Sequence, residues 1–274
     1  MRKGRGVLGR LVARFVPGGT APTADEAPSG TGSRLQKEGI VAAAEAGDLK
    51  RVRELLASAP ELDYPGAAKL GTALHGAAAH GHADVVRMLL DHNACAAVAD
   101  EQMRTQIEAA MLGALTHALL DAAENGHKDV VELLLARHPA GLNAVDDQDC
   151  APLHRAAFAG HRAIADLLLT SGAAVDGPEN IDWTPLHCAA ANGKRDVAEL
   201  LLANNANVNA KHMMRGWTPL HYAASGGDTE VARLLLAHHA EVNAKSDDGE
   251  TPLALAARKG DAIMAALLRQ HGAE

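Results

Sequence analysis

Thr184-Pro185-Leu186-His187 leads into Ala189-Ala190 and Gly193, and 34 residues later Thr218-Pro219-Leu220-His221 leads in the same way into Ala223-Ala224 and Gly227. Working outward, the alanine pair recurs at 43–44, 77–78, 122–123, 156–157 and 256–257, so successive pairs lie 34, 45, 34, 33, 34 and 33 residues apart. A glycine follows each pair at a constant offset, completing the set with Gly47, Gly81, Gly126, Gly160 and Gly260. Pro152-Leu153-His154 and Thr72-Ala73-Leu74-His75 are partial forms of the opening. Beyond each glycine runs an apolar stretch ending in leucines, such as Val130-Val131 with Leu133-Leu134-Leu135, or Val231 with Leu234-Leu235-Leu236. Self-similarity at a fixed period of this length marks a repeat architecture in which each copy is one supersecondary unit.

The residue types inside a copy predict two helices. A threonine hydroxyl satisfies a free N–H at the start of the first, and proline at the first helical position loses nothing by lacking its own N–H. The alanine pair keeps that helix slim, the glycine ends it, and the Val/Leu stripe at i, i+3, i+4 gives the second helix one apolar face. The residue expected to close the second helix is Asn93, His138, Gly172, Asn205, His239 or Gly272, all types that tolerate a left-handed backbone. Between copies, segments such as Val208-Asn209-Ala210-Lys211 and 242–249 read as extended chain with a tight turn. One such unit cannot bury its own stripe, so stability requires stacking and a polar outer side on each end unit. Arg269 stands where interior copies have Leu135, Leu169, Leu202 and Leu236, Ala254 replaces the seventh copy's histidine, and Arg51 and Glu54 occupy apolar positions of the first copy. Both ends are therefore expected to be caps, and the array complete.

With this signature and period the chain resembles the ankyrin repeat family, five copies matching well and two loosely. The resemblance implies an all-α solenoid of about seven helix–turn–helix repeats with short hairpin fingers, at about 33–66, 67–99, 112–145, 146–178, 179–212, 213–245 and 246–274. It also implies that His75, His154, His187 and His221 at one repeat position, and His82, His127 and His161 at another, form hydrogen bonds that tie loops together. Partners in such proteins are gripped by finger tips and by the exposed face of each first helix, along a concave groove. Carried onto this chain, those places hold Asp147 and Phe158 in the fourth copy and Ile181, Trp183 and Asn192 in the fifth. They hold Met214, Arg215 and Trp217 in the sixth and Asp248 in the seventh. Phe158, Trp183, Trp217 and Tyr222, four of the chain's six aromatic residues, fall within copies four to six. Since Trp, Tyr, Met and Arg carry much of the energy of protein interfaces, the candidate contact patch is Phe158, Ile181, Trp183, Met214, Arg215 and Trp217 with an acidic rim. The competing reading is that the tryptophans simply cover the hairpins.

Two departures interrupt the pattern. The third copy reads Thr116-His117-Ala118-Leu119 in place of the signature, and an insertion of about 12 residues, 100–111, precedes it. Met103, Ile107 and Met111 fall at i, i+4, i+8, which predicts a helical excursion, either packed on the array or serving as a recognition element.

Composition narrows the function. Alanine supplies 58 of the 274 residues, which favours closely packed helices and an aliphatic core. Residues 1–32 carry five basic and two acidic residues, leaving 21 against 32, a net −11, for residues 33–274. That body should repel phosphate backbones, so no nucleic-acid partner is expected. Cys95, Cys150 and Cys188 are dispersed and without a CxxC pair, as in a reducing, cytoplasmic setting, and no apolar stretch is long enough to span a membrane. Within 1–32, Val7, Leu8, Leu11, Val12 and Phe15 share one side of a short basic stretch, 5–16, which reads as a weak membrane-surface or docking helix or as disorder, ahead of a Pro/Gly-rich linker. Gly4-Arg5-Gly6-Val7-Leu8-Gly9 spells a dinucleotide fingerprint but has no strand before it to aim the turn. No phosphate-loop, zinc-hydrolase, nucleophile-elbow or EF-hand motif occurs. His80, His92, His212, His238, His239 and His271 lack ligand spacing and read as surface or helix-end histidines. Asp146-Asp147-Gln148-Asp149 reads as a solvated hairpin tip. The expectation is a monomeric scaffold or adaptor that is not an enzyme, uses no cofactor or metal and binds another protein. The alternatives are an accessory subunit that occludes an enzyme, or a membrane-peripheral scaffold.

Overall fold

The computed structural model describes residues 39–58, 64–92, 101–178 and 183–274. The basic N-terminal stretch, Asn93, Cys95 and Ile181 lie outside these residues. The described chain is all-α and forms seven helix pairs. They are α1 (39–45) with α2 (Leu49–Ala57), α3 (Tyr64–Ala79) with α4 (Ala83–Asp91), α5 (Glu101–Asn125) with α6 (Lys128–Arg137), and α7 (Pro152–Ala159) with α8 (Arg162–Thr170). Then follow α9 (Pro185–Ala191) with α10 (Arg195–Ala203), α11 (Pro219–Gly226) with α12 (Thr229–Ala237), and α13 (Pro252–Lys259) with α14 (Ala262–Gln270). First helices pack on first helices in the order α3, α5, α7, α9, α11, α13, and second helices stack alongside from α2 to α14.

The core is the repeat's apolar pattern, stacked. Ala122, Ala123, Ala156, Ala157, Ala189, Ala190, Ala223 and Ala224 are fully buried in the inner row. Val130, Val131 and Leu134 of α6, Ile164, Ala165 and Leu168 of α8, and Val231, Ala232 and Leu235 of α12 are buried behind them. Each fully buried Leu or Val side chain is worth about 1.5–3 kcal/mol, but only once a neighbouring copy covers it. At the outer copies Arg51 and Glu54 stand exposed and paired at 3.4 Å, and Arg269 is exposed.

Three sets of polar contacts hold one copy to the next. His82, His127 and His161 each direct Nε2 to the carbonyl at the end of the preceding copy's first helix, Glu45, Ala79 and Glu124, at 2.8–3.0 Å. The glycine turns make room for these rings: Gly81, at φ +75°, could carry a Cβ only at 2.5 Å from His127 Nδ1. In copies five to seven Lys194, Asp228 and Asp261 take that position, and Asp228 and Asp261 cap their own second helices instead. A second set runs along the opposite edge, where Asn143, Asp176, Asn209 and Asn243 accept the backbone N–H of Ala174, Asn207, Glu241 and Glu274 one copy on, at 2.9–3.1 Å. The third set belongs to the fingers.

The structure departs from the expected pattern in three places. Gly172, Asn205, His239 and Gly272 close their helices with φ between +65° and +94°, but His138 has φ −138°. Pro139 follows it, and the residue before a proline is held in extended conformations, so the chain turns through a 3-10 segment, Pro139–Asn143. The third copy has no proline to begin its first helix, and α5 runs unbroken from the insertion into the repeat. Thr116 and His117, in signature places, sit mid-helix and bond back to the carbonyls of Leu112 and Gly113 four residues earlier. The inserted turns lie largely in solvent, with Gln102, Thr105, Gln106 and Glu108 exposed and Leu112 49% exposed, while Met111 and Leu115 pack on the core. Finally, the fingers are turns rather than strand pairs, with one antiparallel bridge, His212 to Trp217, among the described residues.

The glycine–histidine fit gives a paired prediction. Gly172→Ala meets only backbone strain, because nothing lies within 4 Å of the added methyl. Gly81→Ala carries the same strain and displaces His127 as well. Urea unfolding should show a loss of about 1–3 kcal/mol for Gly172→Ala and a larger one for Gly81→Ala. Equal losses would mean that the histidine contributes nothing.

Candidate functional site

The fingers are mounted on buried histidines. In copies four to six the imidazole lies at the start of the first helix with Nδ1 accepting the backbone N–H three residues earlier, from Ala151 to His154 (3.2 Å), Thr184 to His187 (3.1 Å) and Thr218 to His221 (3.1 Å). The threonine hydroxyls also turn to Nδ1, at 2.9 Å in Thr184 and 2.8 Å in Thr218. Where the seventh copy has Ala254, Thr251 instead accepts the N–H of residue 254 at 3.2 Å. With Nδ1 an acceptor, the neutral ring carries its proton on Nε2. It donates that proton to the carbonyl of the following finger, Trp183 (2.7 Å), Trp217 (3.1 Å) and Glu250 (3.1 Å). Burial pushes His154 down to about 4 and His187 to about 3, and lowers His221. These bonds need neutral rings, and burial keeps them so.

His75 holds the same repeat position differently. Its Nε2 pairs with the Asp121 carboxylate of α5, its ring lies 6.3 Å from His117, and the hydrogen bond to Asp121 raises its pKa despite partial burial. It thus ties two first helices together, not a loop as the resemblance implied.

On this mounting the aromatic residues of copies five and six form one cluster. Trp183 packs edgewise on Tyr222 at 4.9 Å and on His212 at 5.0 Å and stacks on His187 at 5.3 Å, while Trp217 meets Tyr222 at 4.9 Å. His212, expected at the surface, is 8% exposed and shares a 2.9 Å hydrogen bond with the Tyr222 hydroxyl. Burial raises the Tyr222 pKa, so that hydroxyl keeps its proton at physiological pH.

The candidate patch therefore divides. Trp217 is 2% exposed and belongs to the core, covering its finger, so it offers a partner no surface. Trp183 and Phe158 are half-buried and lie against the core with part of each ring outward. Asn192 is half-buried at the end of α9, its side-chain amide donating to the Cys188 carbonyl at 2.9 Å. Met214 is 63% exposed, and Arg215 lies with its guanidinium 5.3 Å from the Trp217 ring centroid. Asp147 and Asp248 are exposed at the tips of the fourth and seventh fingers. Ile181 lies outside the described residues.

Sequence reasoning missed Met213, at 74% the most exposed large apolar side chain among the described residues, beside Met214 on the same turn. The signal was the Met-Met dipeptide itself, in a loop where no core demands it. It also read Asp146 as part of a solvated tip. That side chain is 8% exposed and accepts from the N–H groups of Gln148 (2.8 Å) and Cys150 (3.0 Å) and from Arg155. Burial alone would raise its pKa, but those bonds outweigh burial and hold it below the usual carboxylate value. Arg155 reaches on to Glu124 at 2.8 Å, clamping the fourth finger to α5. Cys150 and Cys188 are free, buried thiols, and burial pushes Cys150 up to about 12 and Cys188 up as well, so neither is a poised nucleophile.

A family model described as ankyrin repeats (3 copies) matches residues 119–212 and 210–274, and one described as ankyrin repeats (many copies) matches 40–90. The chain belongs to the ankyrin repeat family. No curated protein matches it. Ankyrin repeats generally mediate protein–protein interaction.

The buried histidines set the array's response to acid. A ring at about 4 or 3 when folded and 6.5 when unfolded takes up its proton only on unfolding, so its stabilising share is complete above pH 6.5 and is lost as pH falls towards the folded value. His154 and His187 should each add a slope of about 1.4 kcal/mol per pH unit within that window. Urea unfolding at stepped pH should show the decline, and His187→Gln should flatten it while lowering stability at alkaline pH. A pH-independent stability below 6.5 would contradict the neutral-ring geometry.

Proposed function

We propose that this protein is a non-enzymatic scaffold or adaptor of the cytoplasm that binds a partner protein along the concave side of its array, through the fingers and first-helix faces of copies four to seven. The observation that carries this reading is the Met213-Met214 tip: two exposed thioether side chains on a turn that the His212–Trp217 bridge and the Trp183–Tyr222–His212 cluster hold in place. Exposed apolar side chains on a rigid mount lose little freedom on binding, and methionine packs against partners of varied shape. Phe158 and Asn192 extend the same side along the first helices, with the Asp147 and Asp248 carboxylates at its margins. The buried thiols of Cys150 and Cys188, raised in pKa by that burial, support a reading without nucleophilic chemistry.

Photocrosslinking distinguishes this face from the rest of the molecule. With p-benzoylphenylalanine at position 158 or 214, the full chain should capture a discrete partner in its native cell extract. The same probe at Ile263, which is 73% exposed on α14 in the second-helix row, should not. Equal capture from position 263 would count against the concave side.

A further inference from the structure

The sixth and seventh fingers are joined. The N–H of Asp247 donates to the Arg215 carbonyl at 2.9 Å, so the tip of one finger is sewn to the flank of the other. Gly216 makes this approach feasible: at φ +64°, a Cβ there would lie 2.4 Å from Asp247 Oδ1 and 2.9 Å from its backbone nitrogen. Exposed Met213 and Met214 thus stand beside exposed Asp247 and Asp248, and among the described residues neither aspartate forms an ion pair. The bases on these two fingers, Lys211, Arg215 and Lys245, form no ion pair with either aspartate, and Arg215 is folded over the Trp217 ring.

We propose that the joined fingers form one docking surface for a protein segment in which an apolar side chain adjoins lysine or arginine. The reading rests on the array being a protein-binding scaffold and names the class of partner. The methionines receive the apolar group, their unbranched chains adapting to its shape. Asp247 and Asp248, unpaired in the folded chain, offer their carboxylates to the flanking cations. The net −11 of residues 33–274 draws a basic segment in and turns an acidic one away. The same charge disfavours a nucleic acid, which could use the apolar tip but not the carboxylates.

The test uses the full chain and three fluorescein-labelled peptides of equal length: one alternating Leu or Phe with Lys or Arg, one with Asp or Glu in place of the basic residues, and one with Ser in place of the apolar ones. Fluorescence anisotropy should show the basic–apolar peptide binding tightest and weakening as salt rises. Met213→Ser/Met214→Ser should weaken it by roughly tenfold, one decade of Kd. Asp247→Lys/Asp248→Lys should weaken it at least as much and remove most of the salt dependence. All four positions are exposed, so thermal melting should confirm that both variants remain folded. If the acidic peptide binds best and the lysine variant tightens it, the surface stands but the partner class is overturned. Equal affinity of wild type and both variants for the basic–apolar peptide overturns the surface itself, and binding of no peptide overturns the class. Failure of the scaffold reading shows separately, as loss of position-specific photocrosslinks from 158 and 214.

Discussion

A neutral imidazole, buried at the head of a first helix and donating its Nε2 proton to a carbonyl one copy further on, is the contact on which the finger side of this molecule depends. It is local on one face and long-range on the other. Nδ1 is satisfied by the turn that starts its own helix, while Nε2 reaches about 30 residues along the chain, from His154 to Trp183, His187 to Trp217 and His221 to Glu250. A finger held this way cannot relax independently of the copy before it, because a buried carbonyl left without a donor costs about 1–3 kcal/mol. The stacking of apolar stripes supplies most of the stabilisation, and the imidazoles fix where each finger stands.

Exposure at the tips is combined with rigidity at the base. Met213 and Met214 project from a turn whose two ends, His212 and Trp217, are both buried and both part of the aromatic cluster. The fourth finger reaches the same end by another route, with Asp146 turned inward to Arg155 and Arg155 turned on to Glu124. In both fingers the buried polar or aromatic base absorbs the ordering cost in the folded protein, so the tip side chains are already in place.

The repeat architecture was legible because it is written in residues whose roles are local. Proline begins α7, α9, α11 and α13, glycine at positive φ ends the first helices of every copy, and the buried Val/Leu stripe repeats at helical spacing. What was not legible depends on neighbours in space. Trp217 and Trp183 occupy one repeat position, yet one is sealed in the core and the other keeps part of its surface, because the sixth finger folds back over Trp217 and brings Arg215 with it. His212 has no signature spacing and is buried only because Tyr222 and Trp183 close over it. His138 is a type that accepts left-handed backbone, but the proline after it prevents that conformation. Asp146 belongs to an acidic run, and it is turned inward by Arg155 on the next helix together with the N–H groups of Gln148 and Cys150.

Native-state hydrogen exchange along the array bears most directly on whether copies stand only by leaning on one another. Amides of α7, α9 and α11, covered on both sides and tied by His154, His187 and His221, should exchange together and slowest, with protection falling towards α2 and α14. Exchange from α14 as slow as from α9 would show that a single copy is stable by itself, and would contradict the dependence of each finger on the copy before it.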